Sequence, residues 1–358
     1  MKGRVLVAGF ATRHVAQSAH QAGYEVCAVD HFCDQDLSWY TKDREKFGDL
    51  ADLPGAIDRI CSRHRFDFFV PTSGAETLPP PAPLLGTPAE SIARFLDKID
   101  TQHFFESLGV PVPRLMGDGE YPAMVKPRTG AGGWRNAVIG SKAEMAAWRA
   151  LYEDVPYIRQ EVISGIPASV CCVADGSRAL AITTNEQILR GRGESAFGFS
   201  GSITPFEHPV KSKMIEIAEH IAAASGCCGT IGIDFVIGES GPVAIEVNPR
   251  FQGTVDTVEM ACGCNLFELH AGACSGHLPA RRPEPQEVAA RSILFADSDM
   301  MVNTDLGAFR EFVADIPWPG TFFEKDQAVV SVYGRGPDRG TALAMLDKHI
   351  STVRQYMR

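Results

Sequence analysis

TIGIDFVIGESGPVAIEVNPR, residues 230–250, reads as a β-hairpin. Thr230, Gly232, Asp234 and Val236 alternate with Ile231, Ile233, Phe235 and Ile237, which is the period of a strand. After a Gly-Glu-Ser-Gly turn, Val243, Ile245 and Val247 alternate with Ala244, Glu246 and Asn248. If both apolar sets face the core, Asp234, Glu246 and Asn248 share the opposite face. A three-residue loop, Glu239-Ser240-Gly241 with Gly241 left-handed, would set Asp234 across from Glu246. Directly opposed carboxylates repel, and a bound cation removes that penalty. The donors are all oxygens, which suits Mg2+ held by one or two carboxylates and the phosphates of a substrate. Arg250 would add fixed positive charge over a transferring phosphoryl group. Ordinary surface acids on a solvated hairpin are the competing interpretation.

Around this hairpin the chain is long enough, at 358 residues, for two or three domains. Its 45% hydrophobic and 22% charged content is that of a soluble globular protein. A net charge of -10 argues against broad binding to nucleic acid or to an anionic membrane. No apolar run is long enough to span a bilayer, and MKGRVLVAGF is too short a run for a signal peptide. The expectation is a cytoplasmic protein whose 10 cysteines are thiols, mostly small buried hydrophobes.

The N-terminus alternates strand, helix and strand: Val5 to Ala8, Thr12 to Ala22, Tyr24 to Val29, with a further strand at Phe66 to Pro71. This predicts an open parallel α/β sheet. The first turn, Gly9-Phe10-Ala11-Thr12-Arg13, has one glycine where a dinucleotide fingerprint needs three, which disfavours an oxidoreductase. Glu76, in the loop at the carboxyl end of the sheet, is a weak candidate for the substrate site. The proline-rich stretch Pro79 to Pro83 reads as a boundary. Ser91 to Leu96 and Lys98 to Leu108 have helical spacing, with Gly109, Pro111 and Pro113 as stops. Ala123 to Pro127 is a short strand carrying Lys126, followed by the glycine-rich run Arg128-Thr129-Gly130-Ala131-Gly132-Gly133. Such a run lets backbone amides close over phosphates, and the lysine adds a point charge. Residues 184–205 read as the least regular long stretch, a lid or substrate loop whose Arg190 and Arg192 would pair a carboxylate. Lys211 to Ala224 is an amphipathic helix, Val288 to Phe295 and Gln327 to Tyr333 read as strands, and Thr341 to Arg354 as a helix.

Taken in order, Lys98, Lys126 with its glycines, the segment Tyr157 to Ile163 and Asp234…Glu246-Val247-Asn248-Pro249-Arg250 resemble the ATP-grasp superfamily, most strongly between Leu85 and Pro279. The carboxylate–amine ligase and biotin-carboxylase-like branch is the nearest likeness. The resemblance implies α/β and α+β architecture: an N-terminal open parallel α/β (pre-ATP-grasp) domain over 1–84, a two-part ATP-grasp domain over 85–287 and a small C-terminal α+β cap over 288–358. It further implies that ATP lies between the two central halves. Lys98, Lys126, Gly130, Gly132 and Gly133 would meet the phosphates, and Gln160, Glu161, Val162 and Ile163 the adenine. Asp234, Glu246 and Asn248 would hold Mg2+ (or Mn2+), two ions in all, with Arg250 and Lys126 as catalytic groups. Many members carry an acid after the hinge glycine for the ribose; here Ile166 and Pro167 stand there.

The implied activity is ATP-dependent formation of an acyl phosphate from a small carboxylate, which an amine then attacks. The alternatives are activation of bicarbonate and an ATP-binding sensor without chemistry. Expected partners are the small-molecule carboxylate and amine; a homodimer follows only by analogy with the fold.

Overall fold

The computed structural model describes residues 2–357 except 131, 192, 194 and 195. At the N-terminus four parallel strands lie in the order Asp43–Lys46, Glu25–Asp30, Arg4–Ala8, Phe68–Pro71. Val5 to Ala8 are wholly buried because the central strand is covered on both faces. Val5 and Val7 pack on Val15, Ala16 and Ala19 of helix Arg13–Gln21, whereas Leu6 and Ala8 pack on Leu53, Ile57 and Ile60 of helix Leu53–Arg63. The edge strand DREK escaped the sequence reading because it has no apolar residue; its charges suit an exposed sheet edge.

A three-stranded antiparallel sheet, Ala137–Ile139, Ala123–Pro127 and Tyr157–Glu161, forms a small lobe with helix Lys142–Leu151. Its core is Val125, Ile139, Met145 and Trp148. The large sheet is antiparallel throughout and has eight strands: Gly241–Asn248, Cys228–Gly238, Ile166–Asp175, Ala179–Leu189, Phe199–Thr204, Val288–Phe295, Ala328–Gly336 and Val313–Ala314. The C-terminal strands thus continue the central sheet, with helix Arg339–Tyr356 packed over them. The adjacent cysteines at 171 and 172 show the strand alternation. Cys171 packs toward helices Val255–Cys262 and Leu266–Cys274, Cys172 toward helix Lys211–Ala224.

Two expectations need correction. Most of residues 184–205 is strand, and only 190–198 connect Ala179–Leu189 to Phe199–Thr204. The polar composition concealed this, because its buried polar groups satisfy one another. Thr204 donates to Asn185 Oδ1 at 2.7 Å and lies 2.9 Å from Thr257 Oγ1, and Asn185 donates to Ser169 at 3.2 Å.

The hairpin loop has two residues, Glu239 and Ser240, since Gly238 pairs with Gly241. Gly241 has the expected positive φ of 110°. Asp234 still faces Glu246, because a bulge at Ile245 restores the register. That extra residue changes which side chains face inward. Pro242, Ala244 and Val247 are buried, while Val243 and Ile245 leave the expected core set.

Arg13 ties the three regions together. It is buried, donates in a bidentate fork to Asp256 at 2.8 and 2.7 Å, and reaches Asp315 at 2.9 Å. Burial alone would raise the Asp256 pKa, but Arg13 more than offsets this and holds it at about 2. Arg13→Met should destabilise the fold by about 3–5 kcal/mol, because it leaves the buried Asp256 carboxylate without its ion-pair partner. Urea unfolding at neutral pH checks the loss.

Candidate active site

The small lobe and the large sheet face each other across a cleft of about 280 Å3. Met124, Lys126, Gln160, Glu161 and Ile163 line it from the lobe. Pro167, Gln187, Leu189, Asp234, Val236, Ile245 and Glu246 line it from the sheet. A contiguous pocket sharing Asp234 and Glu246 is lined by Gly132, Ser169, Asn248, Arg250 and Gln252.

Strand alternation aims Lys126 into the cleft while Val125 enters the lobe core. Burial lowers its pKa to about 8; Glu246 opposes that shift and Lys98 adds to it. Lys98 begins helix Lys98–Ser107, and its ammonium donates to the Gly130 carbonyl at 2.8 Å. The glycine run is anchored at its start by Arg128, paired with Asp97 at 2.6 Å. Gly130 and Gly133 line the cleft and Gly132 the adjoining pocket; Ala131 lies outside the described residues. At Gly133, φ is +68° and a Cβ would stand 2.4 Å from the Phe197 carbonyl oxygen. Gly133→Ala should therefore displace the loop and raise the KM for ATP on the order of tenfold, read from initial rates, with the global fold kept.

At the other end of the cleft Gln160 donates its amide to Gln102 at 2.8 Å, while its own Oε1 is buried without a partner among the described residues. Among the described residues the backbone groups of Val162 and Ile163 have no hydrogen-bond partner, whereas the Glu161 amide is taken by Arg114. Glu161 Oε1 accepts from the Arg114 amide at 2.9 Å, which turns that carboxylate onto the backbone. Ile163 lines the cleft; Val162 does not.

The acid pair is set by the hairpin register. Burial raises the Asp234 pKa to about 7, and the facing Glu246 carboxylate adds to the rise; Gln187, Arg250 and Asn248 act against it. Asp234 accepts from the Gln187 amide at 3.0 Å and from the Asn248 amide at 3.1 Å. The Asn248 oxygen accepts from Arg250 at 3.2 Å, so its use as a metal donor requires turning the amide. Among the described residues no three His, Cys, Asp or Glu side chains form a metal cluster. Two carboxylates with open positions fit Mg2+, which takes phosphate oxygens for the rest. Arg250 pairs with Glu76 at 2.8 Å, which brings the weak candidate of the N-terminal domain to this centre. Arg190 is instead paired with Asp326 at 3.0 Å and lies 4.0 Å over the Phe295 ring, and it lines none of these pockets. Arg192 lies outside the described residues. Gln187, Leu189 and Phe199 were missed because their strands read as loop, and Phe197 because it sits in the connection between them.

Residues 95–254 match the family model of the ATP-grasp domain. An uncharacterised protein of Methanocaldococcus jannaschii is 25% identical over 367 residues, 93% of this chain and 88% of its own. The biotin carboxylase domain of Hydrogenobacter thermophilus 2-oxoglutarate carboxylase, solved with MgADP, ADP and bicarbonate, superposes with a TM-score of 0.78 at 14% identity. That match covers 98% of this chain and 89% of that one. L-amino acid ligase from Bacillus licheniformis superposes with a TM-score of 0.72 at 14% identity, over 97% of both chains. Rhizobium etli pyruvate carboxylase gives 0.78 at 14% identity over 97% of this chain, which spans only 37% of it. At these identities the likeness is one of fold.

Proposed function

We propose that the protein is an ATP-dependent ligase that activates a small carboxylate as an acyl phosphate and joins it to an amine, releasing ADP and phosphate. The observation that carries this is the confrontation of half-buried Lys126 with the Asp234–Glu246 pair across one cleft. A polyphosphate with its cation needs both signs of charge at that separation. Mg2+ on Asp234 and Glu246 would neutralise the phosphates and hold them for transfer. Lys126 and Lys98 orient the phosphate oxygens, and the glycine run excludes water from the reactive intermediate. Arg250, steadied by Glu76, faces the transferring group. The orphaned Gln160 oxygen and the free Val162 and Ile163 backbone suit the donor and acceptor edge of adenine. In functional terms the chain divides as 1–84, 85–287 and 288–358, with the first and last parts choosing the substrates.

The test is release of ADP and phosphate with Mg·ATP over a panel of carboxylates and amines, with bicarbonate included. Turnover that requires both an acid and an amine supports the ligase. Turnover with bicarbonate alone replaces it with carboxylase-like chemistry, and tight nucleotide binding without turnover replaces it with a sensor.

A further inference from the structure

A second cavity, of about 220 Å3, lies between the first turn of the parallel sheet, the strands Val288–Phe295 and Ala328–Gly336, and the chain just past Arg250. It shares no lining residue with the cleft of Lys126, Asp234 and Glu246. Phe199 and Gly253 line both this cavity and the pocket that holds Asn248 and Arg250, so it adjoins the place of phosphoryl transfer.

The charges of its wall decide what it accepts. Arg13 is spent on Asp256, Asp315 and Gln17. Arg291 is turned onto Asp315, Ser331 and the Gly253 carbonyl. Asp30 accepts from the Thr12 amide and hydroxyl and from the amides of Phe32 and Cys33. Asp315 is held by both arginines and by Ser331. Asp34 differs: it lines the cavity yet makes no hydrogen bond or ion pair among the described residues. Burial raises its pKa well above the usual carboxylate range, and the carboxylates of Asp315, Asp30 and Asp36 add to the rise. With its arginines engaged elsewhere, the cavity has little to offer an anion. An unpaired, crowded carboxylate is relieved by a cation, and an aromatic wall favours one too.

We propose that this cavity binds the amine substrate as its ammonium ion, with Asp34 as counter-ion and Phe32, Phe199 and Phe323 enclosing the carbon body. The identification of the cation as a substrate rests on the ligase reading; the preference of the cavity for cations does not.

Two experiments separate these claims. In calorimetric titrations near neutral pH, benzylamine and n-butylamine are the probes, with benzyl alcohol and benzoate as neutral and anionic controls. The ammonium probes should bind and the controls should not. Asp34→Asn should weaken the ammonium probes at least about tenfold while Mg·ATP binding is kept, which also reports an intact fold. Equal binding of benzyl alcohol, or unchanged affinity in Asp34→Asn, overturns the site.

In turnover, hydroxylamine, largely neutral at that pH, traps an acyl phosphate as a hydroxamate. A C–N bond forms, the acyl C–O bond to phosphate breaks, phosphate leaves and a proton passes to solvent. Asp34→Asn should keep hydroxamate formation yet raise the KM for the amine, with kcat little changed. No hydroxamate from the wild type with any carboxylate sinks the ligase reading and leaves the titration result standing. Hydroxamate formed with an unchanged amine KM in the variant sinks the assignment of the cavity.

Discussion

Glu246→Gln is expected to abolish turnover, by roughly a hundredfold to a thousandfold, while the protein stays folded. The glutamine keeps the shape of the side chain and its place opposite Asp234 but removes one of the two carboxylates that face the cleft. Asp234→Asn should lose as much activity, and it adds a stability signature. A carboxyl whose folded pKa is raised destabilises the fold only when ionised. For Asp234 that penalty is absent below about pH 4, grows through the window up to about 7 and is full above it. Asp234→Asn should therefore melt a few degrees higher than the wild type at pH 8 without metal, and no higher in acid. Added Mg2+ should stabilise the wild type and leave the variant unmoved, because only the wild type keeps the paired site. Thermal melts at the two pH values, with and without Mg2+, decide the matter. A wild type that Mg2+ does not stabilise would remove the metal assignment.

Lys126→Met is the second large loss, expected at about a hundredfold or more in kcat/KM for ATP, since a half-buried point charge facing the phosphates disappears. The wild-type pH profile carries the same information. Phosphate binding favours charged Lys126, so kcat/KM should fall as pH rises through about 8, where the free enzyme loses that proton. On the acid side it should rise through about 7 as Asp234 ionises, and higher Mg2+ should move that limb to lower pH. Lys126→Arg should retain partial activity and lose the basic limb. A basic limb that persists in Lys126→Arg would place the titrating group elsewhere.

The chemistry of this site was more legible in the sequence than its walls. Acids and lysines at fixed spacing announce themselves, because period-2 alternation assigns their face from a few neighbours: Asp234 with Glu246, and Lys126 between buried Val125 and Pro127. The strands that complete the cleft did not, because Thr184, Asn185, Ser202 and Thr204 are polar and their hydrogen bonds are tertiary. A strand whose polar groups are satisfied by one another looks like a loop until its partners are known. The charged edge Asp43–Lys46 was hidden for the related reason that pairing, rather than burial, makes it a strand. Arg13 gave no signal at all, since its partners Asp256 and Asp315 lie hundreds of residues away.

The bulge at Ile245 has a further consequence. A regular strand obeys a parity rule: neighbouring residues never present themselves to the same side. Breaking parity once places Ile245 and Glu246 together on the wall of the cleft, while Ala244 and Val247 on either side of them go to the core. One short strand thereby supplies two kinds of surface in adjacent positions, a greasy one and an ionic one. Removing Ile245 would restore parity and leave the glutamate opposite Asp234. The acid pair would survive such a deletion and the apolar surface beside it would be lost, so nucleotide grip and metal grip can be separated by a single missing residue.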